Sequence, residues 1–209
     1  MRIATFILGQ LQTNCYVLDA GGQAVVIDAG ESPEPMLEHL HTHGLTCTHV
    51  LCTHLHADHI CGVRELVRGT GACVLASQAD AYLHDLVIGH GGRDGYPPVP
   101  GFEFEPAHPG RMTLLNQPAF VLDTPGHTPG GLSFHFPHAG VVFVGDLLFR
   151  GSVGRTDFPG GDSAAQFRSV RERIFSLPDR TLIYPGHGPS TSVEREKRDN
   201  PFFCQKTPA

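Results

Sequence analysis

Short runs rich in Val, Ile and Tyr, at 3–8, 15–18 and 24–28, open the chain, broken by turn residues such as Ala20-Gly21-Gly22. Such runs between turn signals predict strands, and their close succession predicts an antiparallel start. The period then changes. Across 35–43, Met36, Leu37 and Leu40 recur at helical spacing, with Pro33 and Pro35 at the entrance and Gly44 just past the end, so a helix is expected. A short apolar strand at 49–53 follows. Ile60, Val63, Leu66 and Val67 then describe a second helix, stopped near Gly69.

A strand at 72–75 and a helix near 79–86 come next, before a stretch at 89–101 that holds five glycines and three prolines. Long loops of this kind are often functional. Strands resume at 119–123, 132–136 and 141–145. An amphipathic helix then sets Phe167, Val170, Ile174 and Leu177 on one face, with Arg168, Arg171, Glu172 and Arg173 elsewhere. The last strand, 181–184, runs into Pro185-Gly186-His187-Gly188, and the charged run at 194–199 reads as a solvated helix face. Strands, helices, strands and helices in that order predict an α+β fold of two packed sheets with helices outside. Thr53-His54, 123–127, Gly145-Asp146 and 185–187 each lie just past a strand end, where one edge of such a scaffold gathers its chemistry.

Composition adds boundaries. A chain of 209 residues is expected to form one domain over 1–209, and 40% hydrophobic with 17% charged residues fits a soluble globular protein. The net charge of -6 gives no basic surface for nucleic acid. No apolar run reaches the roughly 18 residues of a membrane span. The first eight residues read as a strand and not as a secretory leader, so a cytoplasmic protein with no membrane partner, monomer or homodimer, is expected. Six cysteines without CxxC pairs, mostly in apolar segments, read as reduced thiols.

The fourteen histidines change the picture. In His54-Leu55-His56-Ala57-Asp58-His59, four potential ligands fall within six residues, too many polar side chains for packing in an apolar neighbourhood. Imidazole nitrogen and carboxylate oxygen suit zinc or a similar divalent ion, and three protein ligands with an open position define a catalytic site. Further candidates are His127 in Thr124-Pro125-Gly126-His127-Thr128-Pro129-Gly130-Gly131, Asp146 in Val144-Gly145-Asp146, and His187 in Pro185-Gly186-His187-Gly188. The other histidines have no ligand context. His90, in the glycine-rich loop, is the best placed of them to line a pocket.

Taken together, HxHxDH, TPGHTPG, VGD and PGHG resemble the metallo-β-lactamase superfamily in its glyoxalase II branch. Gly154-Arg155-Thr156-Asp157-Phe158 resembles the GRTDF segment of glyoxalase II-like proteins, and the chain's end resembles their short bacterial YcbL type. The resemblance implies a four-layer αββα sandwich with the metal site at one edge of the two sheets. It implies that His54, His56 and His127 bind one divalent ion, that Asp58, His59 and His187 bind another, and that Asp146 bridges them. Zinc is the first choice, with iron or manganese as alternatives. Asp58 and Asp146 are the implied catalytic residues, Asp58 orienting a hydroxide shared by the two ions. Asp28, at the end of a strand, is implied to hydrogen-bond the metal loop, with a turn cap as the alternative. Arg155 and Asp157 are expected to form a buried ion pair that tethers the loop after Asp146, with substrate contact as the alternative.

The implied reaction is hydrolysis of a thioester, S-lactoylglutathione to lactate and glutathione, by a metal-bridging hydroxide, with another ester or lactone as the alternative substrate. Longer glyoxalase II proteins carry a C-terminal helical domain that grips glutathione. This chain is expected to lack it, which leaves the loop at 89–101 to hold a small glutathione conjugate. Three rivals compete. A persulfide dioxygenase of the same superfamily would use one iron on His54, His127 and Asp146. A true β-lactamase is disfavoured by an aspartate at the bridging position. A non-catalytic scaffold would be expected to have lost ligands, and none is lost.

Overall fold

The computed structural model describes residues 1–93 and 97–204. Strands β1 (Arg2–Leu8), β2 (Thr13–Ala20) and β3 (Gln23–Ile27) form an antiparallel meander. Helix α1 (Glu34–Thr42) then crosses to β4 (Thr46–Leu51), which lies parallel to β3. Two short helices, α2 (Ala57–Ile60) and α3 (Val63–Thr70), lead to β5 (Cys73–Ala76), parallel to β4. Helix α3 passes Gly69 and closes on Gly71, whose left-handed φ of 72° lets its N–H return to the Val67 carbonyl. The expected helix near 79–86 is a tighter 3₁₀ turn over Gln78–Asp85, followed by α4 (Val87–His90) and the two-residue edge strand β6 (Glu105–Pro106). These six strands make one sheet in chain order.

The second sheet starts with β7 (Gly110–Leu114), β8 (Gln117–Asp123), β9 (Leu132–Phe136) and β10 (Val141–Gly145), all antiparallel neighbours. A ribbon of β11 (Leu148–Phe149) and β12 (Ser152–Val153) follows, then helix α5 (Ser163–Ser169), whose N-terminus is capped by Asp162. A wider helical turn over Val170–Ile174 continues α5. Strand β13 (Leu182–Pro185) inserts parallel to β10, β14 (Thr191–Ser192) closes that edge, and α6 (Val193–Asp199) is the last helix of the described residues. The order is β14-β13-β10-β9-β8-β7.

The β7–β8 hairpin has no counterpart in the sequence reading. Its two turn residues, Leu115 and Asn116, take φ of 52° and 58°, the paired left-handed conformation whose twist matches flanking strands. Asn and Gly advertise that turn; Leu at its first position does not.

Period-two alternation sorts the apolar residues into layers. Val25 and Ile27 of β3 join Tyr16, Leu18 and Leu51 in facing Phe134, Phe136 and Phe143 across the space between the sheets. Their neighbours Ala24 and Val26 point the other way and, with Val17 and Val50, pack under Met36 and Leu40 of α1 and Val63 and Leu66 of α3. On the far side Val142, Val144 and Ile183 pack under Val170, Ile174 and Val193. The result is the helix–sheet–sheet–helix sandwich that the motifs implied. Strands β3 and β10 are covered on both faces, which is why they read as unbroken apolar runs.

Candidate metal centre

Four of the strands end at one edge of the sandwich, and each hands the chain to a loop that carries polar groups. Beyond β4 come Thr53, His54 and His56, and the first turn of α2 adds Asp58 and His59. His127 follows β8, Asp146 follows β10, and His187 follows β13. Their ligand atoms fall into three overlapping sets, each with all its atoms within 4.8 Å of one another: His54, His56 and His127; His54, His59 and Asp146; Asp58, His59 and His187. Asp146 lies between the outer sets. Its Oδ1 is 3.4 Å from His59 Nε2, and its Oδ2 is 3.7 Å from His127 Nε2 and 3.6 Å from His187 Nε2. Asp58 Oδ2 is 3.2 Å from His187 Nε2 and accepts a hydrogen bond from Thr13 Oγ1.

Four of the five rings are turned by a partner on the other nitrogen. His59 Nδ1 meets Asp28 Oδ2 at 2.8 Å, His127 Nδ1–H donates to the Arg155 carbonyl at 2.7 Å, and His187 Nδ1–H donates to the Leu11 carbonyl at 3.1 Å. His54 Nδ1 meets Thr53 Oγ1 at 3.0 Å. A nitrogen that donates to a carbonyl must carry the proton, so in the neutral rings of His127 and His187 it is Nε2 that offers a lone pair to the centre. Asp28 also accepts from Thr53 N–H and Thr53 Oγ1, and at φ 55° it holds a left-handed conformation that Asp tolerates better than most residues. One carboxylate therefore fixes both His59 and the entrance to the His54 loop.

The donor set fits divalent cations. Nε2 of His54, His56 and His59 and Oδ1 of Asp146 are buried with no hydrogen-bond partner, a combination that costs free energy unless a ligand fills the role. His56 Nδ1 lies 2.9 Å from the lone-pair nitrogen of His127. Burial pushes His54 well below the ordinary histidine range, and burial with the neighbouring His127 takes His56 down to about 3, so both rings are neutral and ready to ligate at pH 7. For Asp146, burial opposes ionisation, but His59, His187 and His127 outweigh it and hold the carboxyl below its usual range.

The family model of the Metallo-beta-lactamase superfamily matches residues 8–187. The chain belongs to that superfamily. Among its similar members is "Hydroxyacylglutathione hydrolase GloC" of Haemophilus influenzae, 32% identical over 99% of this chain and all of that protein. The crystal structure described as BLEG-1 B3 metallo-beta-lactamase superposes with a TM-score of 0.91 at 32% identity, over 98% of this chain and 100% of the other. That of TTHA1623 in a di-iron-bound form gives 0.86 at 40% identity, over 95% and 99%. Membership of a metallo-hydrolase superfamily and the His/Asp cluster together make this a metal-binding enzyme fold.

Other residues singled out in the sequence are placed differently from expectation. Arg155 and Asp157 do pair, at 2.6 Å, but both side chains are well over half exposed, so the buried tether is corrected to a surface ion pair. What turns inward in that segment is the backbone: the Arg155 carbonyl holds His127. The Arg155 guanidinium also stacks on Phe158, whose ring meets His56 edge-on. His90 ends α4 and makes no side-chain hydrogen bond to the cluster among the described residues. Of the loop at 89–101, residues 94–96 lie outside the described residues. No described helix is long and apolar enough to cross a membrane.

Some positioning groups were not foreseen. Asn14 Nδ2 donates to the carbonyls of Pro185 and Gly188, and Tyr16 Oη donates to Pro185, so β2 clamps the metallo-β-lactamase-type PGHG loop from both sides of His187. Gly186 is equally constrained, since a Cβ there would collide with Asp146 Oδ1, His59 Cε1 and the Gly145 backbone. Gly186→Ala is expected to cost about 1–3 kcal/mol by overpacking, measured by urea denaturation, and to weaken metal uptake at the same time.

Proposed function

We propose that this enzyme hydrolyses a thioester with a pair of divalent cations, and that a glutathione thioester such as S-lactoylglutathione is its substrate. The observation that carries the reading is Asp146, whose carboxylate lies within 3.7 Å of His127 from one set and of His59 and His187 from the other. His54, His56 and His127 would hold one cation, and Asp58, His59 and His187 the other, with zinc preferred to iron or manganese. The chemistry such a pair supplies is Lewis acidity, which lowers the pKa of water toward about 7 and stabilises charge developing on a carbonyl oxygen.

The chain's own groups supply orientation. Asp58 Oδ2, which accepts a hydrogen bond from Thr13 Oγ1 and lies 3.2 Å from His187 Nε2, is placed to align the attacking water. A thiolate leaving group, with an ordinary pKa near 8.5, departs without a dedicated acid. The similarity to a hydroxyacylglutathione hydrolase supports that choice of acyl donor. The loop at 89–101 is assigned to substrate holding within this proposal.

Two other readings stay in view because observations favour them. Similarity to the protein described as a B3 metallo-beta-lactamase favours β-lactam cleavage, and similarity to a di-iron form favours iron. Against a single iron on His54, His127 and Asp146 stands the second set, Asp58, His59 and His187, which is assembled as closely as the first. The test is to assay one preparation on S-lactoylglutathione, nitrocefin and glutathione persulfide. Thioester cleavage without oxygen uptake is expected. Nitrocefin turnover alone, or oxygen uptake on the persulfide without thioester cleavage, would overturn the proposal.

A further inference from the structure

Asp80 is a fully buried carboxylate outside every metal motif, and nothing in its local sequence marks it as part of the centre. It sits in the 3₁₀ turn after β5, behind Ser77, whose side chain caps that turn. Its own partners are remote. Oδ2 accepts from the N–H of Leu55, the residue between His54 and His56, and from Thr128 Oγ1, the residue after His127; Oδ1 accepts from Gly130 N–H at 2.6 Å. Gly130 has no space for a Cβ because the Asp80 carboxyl and Ser77 Oγ already fill it. One side chain thus ties together two loops that are 71 residues apart in sequence and whose histidines are in contact.

The charge is as informative as the bonds. No Lys or Arg pairs with Asp80 among the described residues. A buried carboxylate without a counter-ion is costly even when fully hydrogen-bonded, so the charge of Asp80 stands close behind the histidine loops at a cost. A neutral amide cannot reproduce its contacts. Three donors converge on two oxygens, and an Asn would offer one acceptor while its NH₂ faced either Leu55 N–H or Gly130 N–H.

We propose that Asp80 is a positioning residue that sets the spacing of His54, His56 and His127 for one cation and supplies a fixed negative charge behind them. This rests on the two-cation reading above. Without Asp80 the direct bonds left between the His54–His56 loop and the start of β9 beyond the His127 loop, among the described residues, are that from Leu132 N–H to the Thr53 carbonyl and the contact of His127 with His56 itself, and the three nitrogens lose their common focus. The other set, Asp58, His59 and His187, is held by Asp28, Thr13 and Leu11 and is untouched.

The test is cobalt(II) titration of the metal-free protein, followed by visible absorption, on wild type, Asp80→Asn and Thr128→Val. Thr128→Val removes one of the three bonds with little change of shape and serves if Asp80→Asn does not fold. Wild type is expected to take up two equivalents. Asp80→Asn should weaken one of the two steps by about 10–100-fold and change its absorption spectrum, leaving the other step intact; Thr128→Val should show a smaller loss in the same step. Normal wild-type loading beside variants whose affinity and spectrum are unchanged, even if they melt at a lower temperature, would overturn the role of Asp80 alone. A wild-type protein that takes up no cobalt would overturn the metal reading beneath it.

Discussion

Replacing Asp146 with Ala is expected to abolish turnover while leaving the fold intact. Among the described residues Asp146 is the carboxylate that lies against histidines of both sets, so its loss removes a shared ligand from both at once. Several kcal/mol of transition-state stabilisation depend on correctly held cations, which corresponds to at least about 10³-fold in kcat. In the metal-free state the substitution sheds a buried acceptor without a hydrogen-bond partner but also a carboxylate that the neighbouring histidines favour, so the two effects oppose and the metal-free variant should melt close to the metal-free parent. Kinetics, elemental analysis and melting on the same samples check this. Retained activity would remove Asp146 from the centre, and a collapsed fold would make it structural.

Asp28→Ala is expected to damage stability and chemistry together. The substitution strips the partner from Thr53 N–H, Thr53 Oγ1 and His59 Nδ1, all buried. Each buried group left unsatisfied costs about 1–3 kcal/mol, and Ala at φ 55° adds about 1–2 kcal/mol of backbone strain. Urea denaturation should show the loss. Metal affinity should fall by about 10–100-fold, because the His59 ring is no longer oriented. Asn at the same position tolerates the left-handed backbone and keeps one acceptor, so Asp28→Asn should recover much of the stability and less of the affinity. Equal recovery of both would mean that Asp28 acts as a turn cap alone.

The parts of this centre that could be read from the sequence are those whose partners lie nearby in the chain. His54, His56, Asp58 and His59 share one loop and helix start, and His127, Asp146 and His187 each follow a strand with a readable apolar run, although only that of β10 is buried along its whole length. Asp80 escaped because its local context offers a complete alternative: Ser77 with Asp80 three residues on looks like an ordinary helix start, and the bonds that matter come from 25, 48 and 50 residues away. Asn14 and Tyr16 sit in a strand that pairs normally, and only the folded chain brings Pro185 to them. The Arg155–Asp157 pair was readable as a pair but not as exposed, since two residues of opposite charge two positions apart meet equally well in water or in a core. The β7–β8 hairpin was lost to a Leu in a left-handed turn.

A binuclear hydrolytic centre is tested most directly by the metal content of the protein as purified, read beside turnover of S-lactoylglutathione on the same sample. Close to two equivalents of divalent metal per chain are expected, with thioester cleavage that disappears with a chelator and returns on adding metal, and no oxygen consumption. A single equivalent of iron, with oxygen uptake on glutathione persulfide and no thioester cleavage, would contradict it.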